Sequence, residues 1–114
     1  NERPVGGNTA SAKIPSKLRV GQLLRIDSYL DMAILSMWGE HERAATLMGM
    51  VEASVKEHGP GGERGPDEDL LGQLRDLVRE AREYYATDDF AAAMARMRVA
   101  QDLVALRIIY LAGE

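Results

Sequence analysis

The chain has 114 residues, 46% of them apolar but only 5% aromatic, with no cysteine and a net charge of −4. Its length gives one domain with a modest core, and the lack of cysteine excludes a disulfide scaffold and thiolate chemistry while fitting a reducing cytoplasm, the expected compartment. The acidic balance argues against a general nucleic-acid coat, and no run of about 18 uncharged apolar residues exists to span a membrane.

Residues 1–16, NERPVGGNTASAKIPS, hold two glycines, two prolines and almost nothing to bury. They also lack the apolar core of a signal peptide, and read as an arm preceding the domain at 17–114. Up to Arg25 the bases Arg3, Lys13, Lys17, Arg19 and Arg25 face one acid, Glu2. Lys13, Lys17 and Arg19 are therefore candidates for gripping an acidic partner surface. No aromatic is interleaved with them, so a nucleic-acid platform stays a third reading.

Over 17–58, Leu23, Ile26, Leu30, Ala33, Met37, Ala44, Leu47, Val51 and Ser54 keep nearly heptad spacing, interrupted by Glu40. Two structures fit: one long helix, or two helices bent near Trp38-Gly39-Glu40. With no proline present, the spacing favours a continuous or gently kinked helix, which would reach about 60 Å at 1.5 Å per residue. Part of that stripe would stay uncovered by shorter partners, so pairing with a second copy, a homodimer, is expected.

Gly59–Pro66, GPGGERGP, has four glycines and two prolines in eight residues and marks a loop. No strand precedes it, no Gly-Lys-Ser/Thr follows, and three acids come next, so it does not read as a phosphate cradle. A helix is expected over 67–86, where Leu70, Leu74, Leu77, Ala81 and Tyr84 recur at three and four, with Leu71, Val78 and Tyr85 widening the stripe. Pro66 suits its boundary, and Asp67, Glu68 and Asp69 suit its positive end. A second helix over 88–112 carries Phe90, Ala93, Met97, Ala100 or Gln101, Val104, Ile108 and Leu111. Asp88 or Asp89 can cap its start, and Gly113 stands at its C-terminal cap position.

Chemistry-bearing residues are sparse. Glu40-His41-Glu42-Arg43 is the densest cluster, but successive helical side chains diverge and cannot converge on one ion. The zinc and di-iron spacings are absent, so no metal or other cofactor is expected. His58 beside the loop suits a helix end. Trp38, the only tryptophan, is expected to fill a helix interface, and becomes a binding anchor if exposed. Met37 and Met48 belong to a methionine set that fills cores or serves adaptable binding faces. Of Tyr84 and Tyr85, one ring is expected inside and one outside.

Two family resemblances bear on function. Tyr84-Tyr85-x-x-Asp88-Asp89-Phe90-x-x-Ala93, followed by Met97 and Ala100, is similar to the turn of a tetratricopeptide repeat, which implies a tight αα-hairpin and a protein-binding role. One such unit is visible, and the proline usual after its second helix is missing. Leu24-Arg25-Ile26-Asp27 through Leu30-Asp31-x-x-Ile34-Leu35, with Glu68-Asp69-Leu70-Leu71, resembles the first two helices of the all-helical chorismate mutases. That resemblance implies an intertwined dimer in which Arg19 or Arg25, with Arg43 and Lys56, would grip a dicarboxylate, with Gln101 in a late polar role. His41 stands where the family would place an arginine.

The expectation is an all-α helical bundle of three or four helices, with a long N-terminal helix and a C-terminal αα-hairpin. It is read as a non-catalytic protein-interaction or regulatory module, self-associating through apolar faces and binding a protein partner. Trp38, Met37, Met48, Tyr84, Tyr85, Lys13, Lys17 and Arg19 are its candidate contacts. The alternative is a small dimeric enzyme of chorismate mutase type.

Overall fold

A computed structural model describes residues 16–57 and 66–113, with the side chains of 16–18, 56–57 and 66 left out. Among the described residues there are four helices and no strand: α1 (Ser16–Ser36), α2 (His41–Glu57), α3 (Pro66–Ala86) and α4 (Phe90–Ala112). Helix α1 packs on α2 and α4, and α3 packs on the same two, so the helices form a square in chain order. The arm and most of the Gly59–Pro66 loop lie outside the described residues. Pro66 begins α3, where its missing N–H costs nothing.

The 17–58 segment is two helices that fold back on one another, the bent alternative rather than the continuous one. Gly39 and Glu40 both donate their backbone N–H to the Ser36 carbonyl, at 3.2 and 2.8 Å. Ala44 N then donates to the Glu40 carbonyl at 2.9 Å and starts the next helix. The reason for the reversal is burial. Met37 and Ala44, either side of the turn, are both fully buried, whereas a straight helix would leave half the stripe in water. The spacing hid the break because seven positions separate these two residues. Glycine is not the cause: Gly39 has no positive φ, and a Cβ there would meet nothing within 4 Å.

The core is drawn from all four helices, with Ile26 and Leu30, Met48 and Val51, Leu74 and Val78, and Met97 and Val104 as its largest fully enclosed side chains. Ala33, Ala44, Ala81, Ala93 and Ala100 are buried between them and let backbones approach closely. The α3–α4 hairpin turns through Thr87, Asp88 and Asp89. Asp89 is the cap, its side chain accepting from Ala92 N at 3.2 Å. Asp88 takes the left-handed backbone, φ 63°, which aspartate tolerates better than most residues. Gly113 closes α4 in right-handed geometry, donating to the Ile109 carbonyl at 3.1 Å.

Candidate functional site

Two regions of the surface stand out. The first is the end of the bundle where α1 stops, α2 starts, α3 stops and α4 starts. Trp38, just past α1, is 65% exposed, so it does not fill a helix interface. Its ring instead rests on Phe90, centroids 4.9 Å apart and planes tilted by 56°. Beside that pair, His41 and Tyr85 place their ring centroids 5.6 Å apart, and the Tyr85 hydroxyl shares a short hydrogen bond with His41 Nδ1. The same hydroxyl donates to the Met37 carbonyl at 3.3 Å. It has one proton to give, so His41 Nδ1 is the donor of the pair. Burial pushes the Tyr85 hydroxyl above its ordinary pKa, which keeps it neutral and fixed as a strut between α1, α2 and α3.

His41, Tyr85, Asp88 and Phe90 line an open cavity of about 380 Å³ at this end. Thr87 closes the hairpin behind it, its hydroxyl donating to the Tyr84 carbonyl at 3.1 Å. Tyr84 and Tyr85 are both half-buried rather than one in and one out. The Tyr84 ring is covered by the Arg96 guanidinium at 4.5 Å.

The second region is the outer face of α4. Val99, Leu106, Ile109 and Tyr110 are exposed there, the last three by more than 60%. Arg98 and Asp102 lie among them, and their side chains have no hydrogen-bond or ion-pair partner among the described residues. Helix α3 contrasts sharply, since its outward positions Gln73, Arg75, Arg79, Arg82 and Glu83 are polar or charged. A helix apolar on both sides is one that is normally covered on both sides.

Several sequence candidates sit elsewhere. Met37 and Met48 are fully buried, so they pack the core and offer no binding face. Arg19 lies in α1, within the segment expected to be helical, and its guanidinium, a candidate for gripping a partner, pairs with Asp67 at 3.1 Å. Lys13 lies outside the described residues, as do the side chains of Lys17 and Lys56. Arg25 and Arg43 are both exposed and stand on the order of 13 Å apart along the bundle axis. Gln101 donates to Asp31 at 3.3 Å, bridging α4 to α1. The described cavity brings none of these together.

Sequence reasoning missed the outer stripe of α4, although Val99, Leu103, Leu106 and Tyr110 carry a three-four spacing of their own. It also missed Asp88 and Phe90 as cavity residues, for which the only signal was their place in the hairpin turn. No group of three or more metal-binding side chains occurs among the described residues. None of the helices described is long and apolar enough to cross a membrane. Comparison with family models, curated proteins and solved structures found no match.

Proposed function

We propose that the chain is a helical interaction module that self-associates as a homodimer through the outer face of α4. The observation that carries this reading is the second apolar stripe of that helix, Val99, Leu106, Ile109 and Tyr110, left in water by the fold. The long-helix argument for a dimer no longer applies, because the chain buries that stripe within itself. The self-association surface therefore moves to α4.

The face is complementary to itself. An antiparallel two-fold pairing centred near Ala100 sets Arg98 opposite Asp102 of the second copy, and Asp102 opposite its Arg98. The same register lays Ile109 level with Ala91 and Leu106 level with Met94, between the exposed Ala91 and Ala95. Helix α1 extends the patch. The Asp31–Gln101 bond fixes the antiparallel register of α1 and α4, which brings Leu24, 48% exposed, level with Ile108 and Ile109. A two-fold interface needs this reciprocity, in which one surface meets its own copy.

Light scattering behind size exclusion, from roughly 1 to 100 µM, tests the reading. A dimer is expected, and Leu106→Glu should weaken it by at least about a hundredfold, since a carboxylate would be buried at the seam. Arg98→Asp should weaken it and the double reversal with Asp102→Arg should restore it. A monomer across the whole range overturns the proposal.

A further inference from the structure

We infer that the cavity at the Trp38 end of the bundle binds an organic cation, a guanidinium or alkylated ammonium group on a short apolar stem. Its walls supply both parts of such a site. Tyr85 and Phe90 line it, and Trp38 extends the aromatic surface through its contact with Phe90. Ring faces carry negative charge density and attract cations that shed water easily. Asp88 lines the cavity as well, and supplies the full charge.

The rings already have contacts within the chain before any ligand arrives. Trp38 is held by Phe90, and Tyr85 by both His41 and the Met37 carbonyl. A ligand therefore meets little cost of freezing side chains. The Asp88 carboxylate makes no hydrogen bond or ion pair among the described residues, in contrast to that of Asp89, which is spent on capping α4. Asp88 also keeps a backbone at φ 63° where glycine would be unstrained.

Acids outnumber bases among the ionisable side chains at this end of the bundle, with Asp88, Glu40 and Glu42 against Arg43 and the His41 imidazole. Two helices start at this end and two stop, so their dipoles largely cancel and the ionised side chains decide. Glu40 and Glu42 flank His41 in the chain, and neither is paired within the described residues. Arg43 is the cation on that first turn, and lies about 200° around the helix axis from His41. An anion would meet Asp88 at the wall. A neutral apolar guest would strip water from that carboxylate without replacing it. At about 380 Å³ the space suits one small head group.

Trp38 is the only tryptophan in the chain, so its fluorescence reports on this end of the bundle alone. The titrants are N-acetylarginine methylamide and choline, each against its neutral isostere, N-acetylcitrulline methylamide and 3,3-dimethylbutanol. A saturable change with at least one cation and none with its isostere is expected. Whichever cation binds tighter identifies the head group, guanidinium as on a partner's arginine or quaternary ammonium as in a free small molecule. Asp88→Asn keeps the shape and tolerates the same backbone, and should weaken binding about tenfold. Phe90→Leu, read by calorimetry with the helical signal as a folding control, should weaken it similarly. Equal binding of the isosteres, no saturable response to either cation, or an unchanged affinity in Asp88→Asn overturns the assignment. Repeating the titration in Leu106→Glu separates this site from the dimer, since the cavity lies at the bundle end and needs no second copy.

Discussion

Arg107 Nε donates to Asp67 Oδ1 at 2.7 Å, across the 40 residues that separate the start of α3 from the end of α4. The other carboxylate oxygen takes Arg19 Nη1 of α1 at 3.1 Å, so one aspartate ties three helix ends together. It does so at the N-terminus of α3, where the helix dipole already favours a negative charge. The three side chains are 18–28% exposed, which shields the pairs from solvent more than ordinary surface ion pairs.

Asp67→Asn should therefore destabilise the fold by about 2 kcal/mol, because the charge that Asp67 sets against two partly buried cations is removed while the shape stays the same. Urea unfolding would show this as a lower midpoint at an unchanged slope. A loss below a few tenths of a kcal/mol would mean that the clamp is no more than a surface pair.

Leu30 lies fully buried at the middle of α1. Leu30→Ala should cost about 3 kcal/mol from lost burial and the cavity left behind. The opposite error is expected at Ala100, also fully buried, where Ala100→Leu should cost about 1–3 kcal/mol by forcing helices apart. Chemical denaturation of both variants checks the pair of values.

Gly39→Ala should stabilise by about 0.4–1 kcal/mol, because alanine fits the native backbone and narrows the unfolded ensemble. The α1–α2 reversal would be untouched, which circular dichroism and thermal melting can confirm. Destabilisation would show that the turn does need glycine.

Burial raises the Asp27 carboxyl above its usual value, and Asp31 one turn on raises it further. A carboxyl whose folded pKa exceeds the unfolded one adds stability below the unfolded value and loses it as pH rises through the folded value. At neutral pH the ionised Asp27 is therefore a cost. Asp27→Asn should raise stability there, and the gain should vanish below 3.8, the ordinary value for this group. A gain that persists in acid would point to a cause other than ionisation.

Asp88→Gly offers a trade between stability and binding. Glycine relieves the left-handed backbone and should raise stability by up to about 1 kcal/mol. Removing the carboxylate should weaken the organic-cation binding inferred above. Melting curves and fluorescence titration of the same variant read both effects.

The helical class, the α3 and α4 boundaries and most of the core were legible in the sequence. Pro66 with its three acids, Asp89 at its cap position and the three-four spacing from Leu70 to Ala81 act through neighbours within one or two turns. Such signals survive without knowledge of the fold. Three features did not, and each depends on a contact across the bundle. The reversal after Ser36 was decided by which arrangement buries both Met37 and Ala44. Arg19 and Asp67 looked like a partner-gripping base and a helix-end acid until the bundle brought them together with Arg107. Helix α4 carries two apolar stripes, and local spacing cannot say which one faces inward. Only the packing of α1 and α3 against Met97 and Val104 settled that, leaving Leu106, Ile109 and Tyr110 outside.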